Sequence, residues 1–120
     1  MNFNDEKPIY RQIIDYCFGF ILSGQWQPDQ RIPSVREMAV NLAVNTHTVI
    51  KAYDFLQAHD IIAPRRGMGY YLTPDARQMV NASQREDFFD TSLSQLFSRM
   101  KVLGIGIDEV NDHWKKFNGD

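Results

Sequence analysis

Apolar side chains recur along the chain at helical intervals, and polar or turn-forming residues cut them into short blocks. Tyr10, Ile13, Ile14, Cys17 and Ile21 follow Pro8 and stop at Ser23-Gly24, which predicts a first helix with one buried face. The polar residues 1–7 ahead of it are expected to be loose, and Gln25 to Gln30 reads as a loop clamped to the core by Trp26. Val35, Met38, Ala39 and Leu42 fall at i, i+3, i+4 and i+7, one face of a short second helix. Ser34, with Glu37 three residues on, opens that helix with the pattern of a capping box. After Ala43-Val44, Asn45 offers a cap to a third helix whose Val49, Ala52, Tyr53 and Leu56 point inward together.

The opposite face of the third helix carries His47, Lys51 and Asp54, flanked by Thr48 and Ile50. Two short helices joined by a tight turn, the second presenting small polar and basic groups at its N-terminal end, suit a DNA major groove as a helix-turn-helix. Ile61-Ile62-Ala63 and Tyr70-Tyr71-Leu72 are β-prone runs on either side of Pro64-Arg65-Arg66-Gly67-Met68-Gly69, and are expected to pair as a hairpin with a basic tip. In such a wing the glycines allow close approach to a sugar-phosphate backbone, and Arg65 and Arg66 supply charge.

Past the hairpin, Thr73-Pro74-Asp75 offers a cap, an early proline and an acid, so a long helix is expected from there. Its Phe89, Leu93, Leu96, Met100 and Leu103 form a coiled-coil seam of about two heptads, widened by Phe88 and Phe97. Leu103-Gly104-Ile105-Gly106-Ile107 interrupts the pattern as a helix-to-helix turn. With no strand before it and no third glycine, it is not a nucleotide-binding loop. Asp108 is expected to cap a last helix with Val110, Trp114 and Phe117 on one side. Two amphipathic helices do not easily enclose the several hundred Å³ that a metabolite pocket needs, so subunit association is the expected role of this tail.

Three blocks taken together, Ile32-Pro33-Ser34-Val35-Arg36-Glu37-Met38-Ala39, Val44-Asn45-Thr46-His47-Thr48-Val49 and Arg65-Arg66-Gly67-Met68-Gly69, resemble the winged helix-turn-helix domain of GntR-family transcription regulators. The resemblance covers roughly residues 8–72. It implies a mostly α fold with a small β-hairpin, with residues 1–73 as the DNA-binding domain. Residues 74–120 would form a two-helix dimerisation region, similar to the tail of the small YtrA-type subfamily. It also implies DNA contacts from Arg36, from Asn45, Thr46, His47 and Thr48, and from Arg66, Gly67, Met68 and Gly69. Ser34, Lys51 and Arg65 join them as candidates. The candidate dimerisation residues are Phe88, Phe89, Leu93, Leu96, Phe97, Met100 and Leu103. The chain departs from the family pattern twice: Ile50-Lys51 stands where many members carry arginine, and Asp29 replaces the glycine of a Pro-Gly turn.

The net charge of −2 gains meaning from its distribution. Residues 31–66 hold five basic against three acidic side chains, whereas residues 1–30 and 74–120 are each net acidic, so the positive segment coincides with the helix-turn-helix and wing. A single cysteine excludes an intrachain disulfide, and the three histidines lack metal-ligand spacing. No cofactor or metal is expected. Neither is an enzyme, since no nucleophile-base pair, phosphate loop or paired-carboxylate site is present. The acidic N-terminus is no signal peptide and no apolar run spans a membrane, which predicts a cytoplasmic protein. The expected function is a sequence-specific regulator, a repressor acting as a homodimer on an inverted-repeat operator in double-stranded DNA. The competing class is a winged-helix module for protein association without DNA binding.

Overall fold

Helix α1 spans Ile9–Leu22 and buries Ile13, Ile14, Cys17, Phe18 and Ile21 against the rest of its unit. It opens a computed structural model that describes residues 3–119. Helix α2 (Val35–Leu42) buries Met38, Ala39 and Leu42, and α3 (Thr46–Ala58) buries Val49, Ala52, Tyr53 and Leu56. These are the inward faces their spacing predicts. A helix of eight residues is marginal alone. What holds α2 is tertiary burial, at roughly 1.5–3 kcal/mol per large apolar side chain. Between α2 and α3, Ala43 takes a left-handed φ of 54° and lets the chain reverse. Burial pushes the Cys17 thiol up to about 12, so it stays neutral, a small hydrophobe of the core.

The N-terminal stretch departs from the expected loose segment. Residues 1 and 2 lie outside the described residues, but Asn4 to Lys7 is tied to α1 through Gln12. Gln12 Nε2 donates to the carbonyls of Asn4 (2.7 Å) and Lys7 (2.8 Å), and its Oε1 accepts from the Asn4 amide (3.0 Å). A buried polar side chain must be satisfied, and here the loop backbone satisfies it.

Strands β1 (Ile62–Arg65) and β2 (Gly69–Leu72) pair antiparallel, with Ile62 opposite Leu72 and Arg65 opposite Gly69. They reach further toward the tip than the β-prone runs predict, leaving only Arg66, Gly67 and Met68 as the turn. On its other side β2 receives the segment before α2. Arg31 bridges Tyr71, the Ile32 amide donates to the Tyr70 carbonyl (2.9 Å) and the Leu72 amide donates to the Gln30 carbonyl (3.0 Å). β1 is thus an edge strand, where Pro64 and its missing N–H are tolerated.

Helix α4 spans Ala76–Asp87. Thr73 does not cap it: its hydroxyl donates to the carbonyls of Asp60 (2.6 Å) and Ile61 (3.1 Å), bracing the start of the hairpin. Ala76 and Val80 belong to the core of the first unit. The chain accordingly divides between Ala82 and Ser83, later than the expected boundary after residue 73.

In the second unit, the expected unbroken helix contains a π-helical turn at Phe88–Ser92, after which α5 runs Leu93–Leu103. Asp90-Thr91-Ser92 is a run of poor helix formers, which accounts for the weak point. Gly104, at φ 69°, closes α5: the Ile105 amide donates to the Met100 carbonyl (2.9 Å), as in a Schellman motif. Helix α6 (Ile107–Phe117) starts from Gly106. Asp108 sits in its first turn and makes no capping bond, a correction to the expected cap, although its charge still suits the positive helix end.

Candidate nucleic-acid interface

Three local structures present the candidate DNA-binding residues. The first is the start of α2, where Ser34 Oγ accepts from the Glu37 amide (3.1 Å) and the Glu37 carboxylate accepts from the Ser34 amide (3.2 Å). The Ser34 amide foremost, and the Ser34 hydroxyl after it, hold the Glu37 carboxyl below its ordinary pKa, with Arg31 adding a smaller pull. Ser34 is therefore occupied as a cap. Arg36, one position before Glu37, is exposed and forms no ion pair with any described residue.

The second is the opening of α3. Asn45 Oδ1 accepts from the His47 amide (2.8 Å), so its side chain serves the helix end while Thr46 and His47 stand exposed and Thr48 is half-buried. Two contacts fix this helix. Tyr53 Oη donates to the Pro33 carbonyl (2.7 Å), tying α3 to the residue before the α2 cap, and the Arg11 guanidinium lies 5.1 Å from the Phe55 ring centroid. Burial raises the Tyr53 hydroxyl pKa, so it remains a donor. Lys51 is drawn toward α1, its ammonium 4.1 Å from the centroid of Tyr10. Ile50 is exposed on the same helix.

The third is the wing. Gly67, at φ 73°, forms the tip, and Arg66 and Met68 beside it are exposed. Gly69 has a different task from the tip: a Cβ there would lie 3.2 Å from Arg31 Nε, so its bareness admits the Arg31 side chain across the strand. Arg31 in turn pairs with Glu37 at 3.4 Å. Arg65 is also engaged, with Nη2 3.2 Å from Asp29 Oδ1 and its guanidinium carbon 3.9 Å from the Tyr71 centroid. Tyr10, Asp29, Arg31 and Tyr71 thus act on candidate residues without having been candidates themselves. Asp29 alone had a local signal, as an acid in a glycine position.

The candidate dimerisation residues lie in the second unit. Phe88, Phe89, Leu96, Phe97 and Leu103 are exposed, Leu93 is half-buried, and Met100 is buried. Val102, Ile107, Trp114 and Phe117 add further exposed apolar surface. Among the described residues no group of three or more His, Cys, Asp or Glu could hold a metal ion, and no helix is long and apolar enough to cross a membrane.

Residues 9–72 match the family described as bacterial regulatory proteins, gntR family. The chain is 31% identical to the HTH-type transcriptional repressor YtrA of Bacillus subtilis (strain 168), over 94% of its own length and 86% of the relative's. A solved GntR family transcriptional regulator from Listeria monocytogenes superposes with a TM-score of 0.76 at 34% identity, over 95% of this chain and 98% of that one. The DNA-binding domain of AraR, solved in complex with operator ORR3, gives a TM-score of 0.55 at 26% identity, over 61% of this chain and 88% of that one.

Proposed function

Because the chain belongs to the GntR family of bacterial regulatory proteins and is similar to YtrA along nearly its whole length, we propose that it is a repressor that binds an inverted-repeat operator as a homodimer. The observation that carries this is the state of two arginines. Arg36 and Arg66 are exposed and without an ion-pair partner among the described residues, one beside a capped helix start and the other at a glycine-bent hairpin tip. Exposed cations left uncompensated at these places are available to phosphates and base edges.

Thr46 and His47, at the exposed opening of α3, enter the major groove, and Arg66 to Met68 follow the adjacent backbone. Asn45 and Ser34 support them as caps. AraR, whose DNA-binding domain shares the fold, is held on its operator in the solved complex, which supports the same use of the fold here. Repression follows the function for which YtrA is named. Homodimerisation is supported by the exposed apolar side chains of the second unit, which a second copy of the chain would cover. A two-fold dimer sets two recognition helices in opposite orientation, so its operator shares that symmetry. Such a repressor works in the cytoplasm, where the chromosome is.

Fluorescence anisotropy with the duplex flanking the chain's own gene, against a scrambled duplex of equal length, tests the function. Tighter binding to the native flank is expected. Equal or undetectable binding to both would leave a protein-association module in its place.

A further inference from the structure

We propose that Asp29 governs whether Arg65 is available to DNA, so that the native wing contacts phosphate through Arg66 while Arg65 is held off. The inference rests on the DNA-binding reading above and adds a residue that reading does not use. Antiparallel pairing puts directly opposite residues on one face of a sheet. Ala63, Tyr71 and Arg31 share the outer face of the wing, with Arg65 and Gly69 next along it. On that face Arg65 is engaged twice, by Asp29 at 3.2 Å and by the Tyr71 ring at 3.9 Å.

Asp29 occupies an unfavourable position for this task. Its φ is 63°, a left-handed conformation that glycine adopts freely and that costs an L-residue with a Cβ. Glycine would serve the turn better, and what aspartate adds is a carboxylate facing Arg65. The ion pair is open to solvent, with the two side chains 45% and 62% exposed, so it adds little to stability. Its consequence lies in binding: a phosphate must displace the carboxylate and lift the guanidinium from Tyr71 before Arg65 can serve it. Arg31 is compensated in the same way by Glu37, whereas Arg36 and Arg66 have no ion-pair partner among the described residues.

Salt-dependent titration of one duplex with the full-length wild type, Asp29→Asn, Arg65→Ala and the double variant tests this. Asparagine keeps the left-handed turn and removes the charge. Asp29→Asn is expected to bind more tightly and to steepen the slope of log K against log salt by about one unit, so that its advantage shrinks by about fourfold between about 50 and 200 mM salt. Arg65→Ala should leave the wild-type slope unchanged, and the double variant should return to it. Asp29→Gly, which relieves the strained φ, should behave as Asp29→Asn does and serves if the latter folds poorly. A measurement without DNA separates this inference from the DNA-binding reading. In the free protein, Arg65 side-chain resonances should carry the ring-current shift of Tyr71 and lose it in Asp29→Asn. Failure of the wild type to bind duplex, with that shift present, would overturn the DNA-binding function and leave the clamp standing. An unchanged slope in Asp29→Asn, a reduced slope in Arg65→Ala, or no ring-current shift would each overturn the role of Asp29.

Discussion

Arg36 and Glu37 are neighbours with opposite tasks, and substitutions should separate them. Arg36 is exposed and bears no ion pair among the described residues, so Arg36→Ala should leave thermal unfolding unchanged while weakening operator binding by about 1–3 kcal/mol, as loss of one charged groove contact does. Unfolding and titration on the same sample check both halves. Glu37 serves the fold. Because its carboxyl titrates lower in the folded chain than in the unfolded one, its contribution is complete above the ordinary glutamate pKa and fades as pH falls through the lower folded value. Glu37→Gln should therefore be less stable than wild type at neutral pH and converge with it in acid. A stability difference independent of pH would assign the effect to shape instead of charge. The capping box and the buried stripes were legible in the sequence because their partners lie within a few residues. The engagements of Gln12, Arg31, Arg65 and Lys51 were not, since each needs a partner brought close by tertiary structure.

Among the elements, helices α1, α2 and α3 follow directly from apolar spacing, and the glycines mark the hairpin. Its extent was harder to read, because strand ends are set by pairing across the hairpin, and the Arg31 bridge depends on a segment far away in sequence. The π-helical turn leaves little trace in the sequence for a related reason: helical spacing alone does not register one extra residue in a turn, and only the Asp90-Thr91-Ser92 run hints at it. The wing yields its own test. Arg66→Ala should lower affinity for all duplexes nearly alike and reduce the slope of log K against log salt by about one unit, the mark of a lost phosphate contact. Salt titration on two unrelated duplexes checks this. A change confined to A·T-flanked sites would indicate minor-groove reading instead.

For the whole molecule, the division between Ala82 and Ser83 depends on tertiary packing that apolar spacing along the chain does not carry. Ala76 and Val80 look like ordinary positions in a helix until the core they fill is seen. The exposed aromatics of the second unit remain in need of cover, and a second copy of the chain is the proposed one. Phe97, 46% exposed in the monomer, can take a charge there at little cost to the fold. Phe97→Asp should thus leave helical content unchanged yet weaken self-association and, with it, operator binding, as two half-sites lose their linkage. Sedimentation with and without the substitution checks this. Dimerisation and symmetric DNA reading meet in a single measurement: selection of duplexes from a random-sequence pool by the full chain, followed by sedimentation of the complex with the winning duplex. Enrichment of an inverted repeat carrying two protomers is the expected result. An asymmetric winner bound by one protomer, or a pool that never narrows, would contradict it.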